Sequence, residues 1–496
     1  MNHPCFRPAL ALALLVTLYA LPLRAQEKTI AAYTAAAPFA MPAVPLPEFA
    51  ARNFSITDYG AVSDGQHLNT TAFAKAIAAC TAAGGGRVTV PAGLWLTGPI
   101  ELKSNVDLHL ERGALVQFTP DRSQYPIIPS SATGSNLTVA SPIYGYSLKN
   151  IAITGEGIFD GAGESWRPVK KTKVTASQWK ELTASGVVSA DGSVWWPSRE
   201  AMNGEDYIKN LKTAKPKPVA EDYLPARDFL RPYMLFLVNC EKILIDGVTI
   251  RNSPKFVFYP SACTNLTMRN VSIFNEWWAQ NGDGIDISAC KNVVIYKCTV
   301  SAGDDGICMK SSGAKNPDEA RLENVLIAGC TVYHGHGGFV IGSNTDGGMR
   351  NIYVTDCNFI GTDVGIRIKS NAGRGGLVHD IWISNIFMSN IVNEAISFDT
   401  YYEDVPAGTD KGQAPAGLRD KTPVFRDFHI DRVVCRGAAT AISITGLPEM
   451  PVSKIYFSNM TISANKSYTA NNAKEISLKG VQVITPKETV SLEGLR

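Results

Sequence analysis

A short pattern of alternating apolar residues keeps returning along the second half of the chain, and it restricts the fold more than any other feature. Its copies read KILIDGVTI from Lys242, NLTMRNVSI from Asn265, NVVIYKCTV from Asn292, NVLIAGCTV from Asn324, NIYVTDCNF from Asn351, DIWISNIFM from Asp380, DFHIDRVVC from Asp427 and KIYFSNMTI from Lys454. Most starts lie roughly 23 to 32 residues apart, the length of one coil of a solenoid. Strands this short cannot bury an apolar face alone, but stacked coils turn their inward residues into continuous columns. The expected fold is therefore all-β, a single-domain parallel β-helix. Leucine-rich repeats would show LxxLxLxxN and propeller blades a longer period, and neither is present. The seventh position of the pattern is Val248, Val271, Cys298, Cys330, Cys357, Ile386, Val433 and Met460. Three cysteines thus fall in one packed column, as core residues rather than reactive thiols.

The same logic organises the rest of the chain. Asn105-Val106-Asp107-Leu108 and Asn150-Ile151-Ala152-Ile153 read as earlier coils, and Phe73 to Ala83, before Gly84-Gly85-Gly86, as a helix capping one end of the stack. Residues 1–25, with Arg7, an apolar run from Ala9 to Leu21 and Leu23-Arg24-Ala25 before Gln26, have the form of a signal peptide. Residues 26–52 are Ala/Pro-rich and expected to be an irregular lead-in, and 53–496 form the β-helix. A stretch at about 161–232 mixes Lys, Trp and Pro without the period and reads as a long insertion, with a second near Thr400 to Val424. Export would place the protein in the periplasm or outside the cell.

Charge excludes some partners. With 47 basic and 45 acidic side chains the formal charge is +2, too small a field for nucleic acid or a membrane surface. A monomer is expected. No CxxC pair suggests zinc, and no metal site is assigned.

A second strand follows several copies and provides a finer ruler. It reads Gly284-Ile285-Asp286-Ile287-Ser288, Gly306-Ile307-Cys308-Met309-Lys310, Gly338-Phe339-Val340-Ile341-Gly342, Gly365-Ile366-Arg367-Ile368-Lys369 and Ala395-Ile396-Ser397-Phe398-Asp399. Ile285, Ile307, Phe339, Ile366 and Ile396 should stack inward, leaving Arg367 and Lys369 on one exposed face. Asp283 and Asp305 stand just before the small residue in consecutive coils, Asp304 sits beside the second, and His336 comes one coil later. Strands about 4.8 Å apart would gather three carboxylates and an imidazole on one face, with the two cations about 10 Å from Asp305.

Taken singly, Asp-Gly and Asp-Asp-Gly are turn formers and isolated surface charges are ordinary. Four consecutive coils placing them on one face is not ordinary. Separated carboxylates, one kept protonated by its neighbours and another acting on water or sugar, are what glycoside hydrolysis requires. A guanidinium nearby suits a uronic acid carboxylate. The cluster could also suit calcium, as a lesser alternative.

The segments NGDGIDI at Asn281-Gly282-Asp283, GDDGICMKS at Gly303-Asp304-Asp305, GHGGFVIGS at Gly335-His336-Gly337 and GIRIKS at Arg367-Ile368-Lys369 resemble glycoside hydrolase family 28, the polygalacturonases and their relatives. The resemblance implies a right-handed parallel β-helix and cofactor-free hydrolysis, with inversion, of α-1,4-galacturonosidic bonds in pectin. It makes Asp304 the general acid, Asp283 and Asp305 the carboxylates that activate water, His336 a supporting hydrogen-bond partner, Arg367 and Lys369 binders of the substrate carboxylate, and Asn281 a substrate-positioning residue. Gly282 departs from the Thr or Ser more usual there, which bears on substrate preference. The two insertions would favour cleavage from chain ends. Rhamnogalacturonan or xylogalacturonan hydrolysis, a calcium-dependent pectate lyase and a non-catalytic polysaccharide-binding β-helix are the alternatives. Trp195, Trp196, Tyr401 and Tyr402 are expected to pack the insertions rather than serve the site.

Overall fold

The computed structural model describes residues 28–130, 136–313, 316, 319–402 and 421–495; the expected signal peptide and most of the second insertion lie outside them. Among the described residues, nearly all strands of the coil repeat pair in parallel. They form an eleven-stranded sheet on one side and a 22-stranded sheet wrapping the other two. The larger sheet turns a corner because later coils carry one long strand where earlier ones carry two. Met349–Ile360 pairs with both Leu322–Ala328 and Thr331–Tyr333. The result is the right-handed parallel β-helix.

Register is kept from coil to coil. Ile285, Ile307, Phe339, Ile366 and Ile396 are direct partners in the smaller sheet and all are buried. One apolar cluster runs from Ile56 to Leu492. Each fully buried aliphatic or aromatic side chain in it is worth roughly 1.5–3 kcal/mol of transfer free energy. All nine cysteines from Cys80 onward are free and buried. Besides the expected column, Cys240, Cys263 and Cys290 form another: the amides of Cys240 and Cys263 donate to the next sulfur at 3.4 Å.

The first residue of every repeat copy, from Lys242 to Lys454, adopts a left-handed backbone with φ between 53 and 59°. Side chains with a Cβ pay about 1–2 kcal/mol there, and Asn and Asp tolerate it best, which explains why six of the eight copies begin with one of them. The amides then stack: Nδ2 of Asn292, Asn324 and Asn351 donates to Oδ1 of the preceding Asn at 3.0, 3.1 and 3.1 Å.

The first stack end is covered by helix α2, Thr70–Ala82, whose Phe73, Ala76, Ile77 and Cys80 enter the core. The other end finishes in Thr489–Leu495, folded back antiparallel on Ala473–Ile484. The lead-in is more ordered than its composition suggests. It contains helix α1, Ile30–Ala35, and Tyr33 and Met41 pack on Val294, Leu326 and Ala328 outside the large sheet. Outward-facing apolar residues there give it a surface to bury.

The stretch after Gly161 forms a three-stranded antiparallel sheet, Val169–Lys170, Val187–Val188 and Val194–Trp196, with helices α3, Ala176–Leu182, and α4, Arg199–Ala214. It is fastened to the coils by buried Arg167, which donates to the Ser253 carbonyl at 2.6 Å and to Asn252 Oδ1 at 3.1 Å. No helix among the described residues is long and apolar enough to cross a membrane.

Replacing Asn324 by Ala should lower stability by about 2–3 kcal/mol, the left-handed strain plus two ladder bonds. Asn324→Gly, which tolerates the backbone, should lose only the ladder part. Urea unfolding of both variants against wild type reads the difference, and equal losses would contradict this account.

Candidate active site

The site lies on the smaller sheet, where loops from the large sheet feed its strands. Asp283 precedes Ile285–Ser288, Asp304 and Asp305 stand at the start of Asp305–Lys310, and His336 precedes Gly337–Ile341. One oxygen from each of Asp283, Asp304 and Asp305 lies within 4.8 Å of the others. The three carboxylates and His336 are thus brought together as the register implied.

Glycine makes the closest approach possible. Gly335 has φ 143°, and a Cβ there would sit 2.8 Å from the Asp304 carbonyl, which accepts the His336 amide at 2.7 Å. His336 Nδ1 then lies 3.0 Å from Asp304 Oδ1, and Nε2 lies 3.8 Å from Asp363 Oδ2. Gly282 is also explained sterically. A Cβ there would come within 2.8 Å of Ala279 and 3.0 Å of Asn275 Nδ2, so the side chain more usual at that place has no room in this loop.

The cations differ from expectation. Arg367 and Lys369 are not 10 Å from Asp305: Arg367 NH1 is 3.2 Å from Oδ1 and Lys369 Nζ 2.7 Å from Oδ2. Backbone separation by two rungs is spanned by the length of these side chains. Nor is the face they share exposed, since Lys369 is buried and Tyr402 covers both cations, its ring centre 4.7 Å from Lys369 Nζ and 5.5 Å from the Arg367 guanidinium carbon. Tyr402 therefore belongs to the site, whereas Trp195 and Tyr401 are buried in packing as expected.

Two further residues were missed. Lys310 Nζ lies 3.1 Å from Asp286 Oδ1 and 3.8 Å from Asp283 Oδ2, with all three buried. The ruler contained the signal, because Asp286 holds the register place of Arg367 and Lys310 that of Lys369. Both stand inside the quoted segments NGDGIDI and GDDGICMKS, but beyond the Asn281-Gly282-Asp283 and Gly303-Asp304-Asp305 triplets that carry the resemblance.

These surroundings separate the carboxyls. Burial, then the charges of Asp286 and Asp304, pushes Asp283 well above the usual range. Burial raises Asp286 to about 6 against the pull of Lys310. Asp305 is equally buried, but Lys369, Arg367 and Lys310 outweigh that burial and hold it well below an ordinary carboxyl. Of Asp283, Asp286 and Asp305, the carboxyl that its surroundings most favour as protonated is thus Asp283. Oδ1 of Asp283 has no hydrogen-bond partner among the described residues. Three cations around the cluster also oppose a divalent metal ion there.

On the side of Asn281, a cavity of about 560 Å³ opens between the coils and the insertion. It is lined by Trp166, Trp196, Tyr233, Phe236, Arg231 and Lys255 among others, and Asn281 is its nearest contact with the aspartates in sequence. Asn281 Oδ1 accepts from Arg231 NH2 at 2.7 Å. Lys255 Nζ has the Tyr233 ring at 5.0 Å and the Phe256 ring at 5.5 Å.

A β-helix with clustered carboxylates on its smaller sheet defines a class of polysaccharide-active enzymes, and the comparisons narrow it. Residues 226–482 match the model of glycosyl hydrolases family 28, and the chain belongs to that family: it is a glycoside hydrolase. It is 29% identical over 426 residues, 82% of this chain and 67% of the other, to an exo-poly-alpha-D-galacturonosidase of Dickeya chrysanthemi. The crystal structure of a hyperthermoactive exopolygalacturonase from Thermotoga maritima superposes with a TM-score of 0.72 at 27% identity, covering 91% of this chain and 96% of that one. A family 28 exopolygalacturonase from Yersinia enterocolitica shares the fold, with a TM-score of 0.68 at 20% identity over 90% of this chain and 77% of that one.

Lys310→Met should cost about 3–5 kcal/mol by leaving buried carboxyls uncompensated. The sign of its pH dependence follows from Asp286. An unfolded Asp ionises near ~4, whereas the folded one ionises near 6, so stability declines as pH rises through that window. Lys310 limits the decline, so the variant should be closest to wild type near pH 4 and furthest from it above pH 6 in urea titrations.

Proposed function

We propose that the enzyme hydrolyses α-1,4-galacturonosidic bonds of polygalacturonate from chain ends, with inversion. The observation that carries this reading is the arrangement of three carboxylates in unlike surroundings, beside cations and next to a pocket walled by the insertion.

Asp304 is the general acid. Its side chain is 18% exposed, against 4% for Asp283 and 2% for Asp305, so it is the carboxyl a glycosidic oxygen can reach. Asp305, held ionised by Lys369 and Arg367, takes the proton of the attacking water, and Asp283 shares in holding that water. The oxygens are closer than the two carboxyls of most inverting enzymes, whose separation is roughly 6.5–9.5 Å. With three carboxylates the water need not lie between acid and base; it can sit to one side, against Asp283 and Asp305. Arg367, 22% exposed against 5% for Lys369, is the cation a substrate carboxylate can reach, while Lys369 is committed to Asp305. His336 supports Asp304, and Asn281 positions the sugar.

The aromatic-walled cavity suits a terminal sugar, with Lys255 and Arg231 facing its carboxylate. The similarity to exo-acting relatives supports the same end-directed cleavage. Export by the first 25 residues would bring the enzyme to its polymer.

Purified protein with polygalacturonic acid and excess chelator should release saturated short products, with the β anomer appearing first by proton NMR. Asp304→Asn should lower kcat by about a thousandfold or more. The α anomer first would sink inversion, absorbance of unsaturated product restored by calcium would sink hydrolysis in favour of a lyase, and mixed long oligomers would sink end-directed action.

Lys255 should also leave a pH signature. Burial, followed by Arg231, lowers its pKa to about 8, so KM for short oligogalacturonates should rise as pH passes 8 while kcat changes little. Lys255→Met should raise KM about tenfold at neutral pH, the loss of one charge-assisted hydrogen bond, and remove that rise.

A further inference from the structure

The insertion does more than wall a pocket. It leaves the stack after Asp160, and the strand positions Ile158, Thr249, Ser272, Thr299 and Thr331 are successive partners, so the coil of His336 lies four rungs, about 19 Å, further along the axis. The insertion crosses that distance. It places Lys173 Nζ 3.4 Å from Nε2 of His336. This contact brings a residue from outside the coils onto the catalytic cluster.

We propose that Lys173 is a positioning residue, whose ammonium donates to Nε2 of His336 and thereby holds the imidazole as the tautomer that donates from Nδ1 to Asp304. An ammonium group has donors and no acceptor, so the nitrogen it meets must carry a lone pair. The proton of neutral His336 then resides on Nδ1, 3.0 Å from Asp304 Oδ1. Without Lys173, the carboxylate of Asp363, 3.8 Å from Nε2, would favour a proton on that nitrogen instead. An imidazolium would also set two positive charges against each other at this contact.

The groups facing the pair are Asp304, Asp363, the Arg367 guanidinium, whose NH1 is 3.5 Å from the His336 carbonyl, and Lys170 on the insertion itself. Lys173 is half-buried, and burial lowers its pKa while Asp304 and Asp363 oppose that change. The contact also sets a positive charge beside the imidazole and the Asp304 carboxyl. The device therefore orients the hydrogen bond to the acid.

The assignment rests on Asp304 being the acid, but its primary test needs no substrate. Nitrogen-15 NMR of the full-length mature protein, labelled at histidine and assigned with His336→Gln, reports which nitrogen of His336 carries the proton at neutral pH. The Nδ1–H form is expected in wild type, and the Nε2–H form would overturn the proposal. Lys173→Met should move the signal toward Nε2–H, lower kcat about tenfold with KM within about twofold, and shift the alkaline limb of the pH profile upward by about one pH unit. Lys173→Arg should restore both tautomer and profile. Lys173→Gln, which can donate without charge, should keep the tautomer yet show the shifted limb. Unchanged tautomer and profile in Lys173→Met would overturn the proposal, whereas a correct tautomer in an inactive wild type would instead refute the hydrolytic reading.

Discussion

The interaction on which the rest depends is the one-to-one register between parallel strands of successive coils. Backbone hydrogen bonds favour it, but the inward columns enforce it, because a slip by one residue would turn every buried side chain outward. Once register is kept, like positions repeat along the axis. That is why amides stack on amides, sulfurs on sulfurs, and carboxylates gather within one short stretch of a single face. A site here is a consequence of periodicity interrupted at a few positions, with Asp and His replacing the small and apolar residues found elsewhere.

Burial then makes chemistry from composition. Asp283, Asp286 and Asp305 are chemically identical and similarly sequestered, yet they respond in opposite directions because the cations are not shared equally. Lys369 and Arg367 commit to Asp305, whereas Lys310 divides itself between Asp286 and Asp283. Asp304 alone retains contact with solvent and with an imidazole. Differences in neighbours, rather than residue type, set these carboxyls apart.

The insertion adds what a bare stack lacks. A solenoid offers a long open groove, suited to polymers that pass through it, and its curvature alone gives no end stop. Residues from Trp166 to Trp196 and from Asp228 to Pro232 turn part of that groove into a bounded pocket, anchored through Arg167 to the coils beneath. Because the same segment reaches His336, the wall of the pocket and the carboxylate cluster are mechanically linked.

Much of this was legible in the amino-acid order. Alternation and repeat length define a parallel β-helix, since both are local properties of a coil, and the finer ruler correctly stacked Ile285 through Ile396 and gathered Asp283, Asp304, Asp305 and His336. What it could not supply was reach. Rung counting measures backbone, so it put Arg367 and Lys369 10 Å away, when long flexible side chains close that gap and fold under Tyr402. Lys310 and Asp286 were readable from register, but lay beyond the triplets of Asp283 and of Asp304 and Asp305 on which the resemblance rests. The helix within the lead-in, the pocket and the Lys173 contact were beyond reading, as an aperiodic segment carries no ruler of its own. The chain by itself determined the scaffold and which side chains line one face, because repetition makes neighbours of like positions. Only the tertiary structure decided which charges pair and where the insertion lands, because those depend on distances through space that sequence separation does not encode.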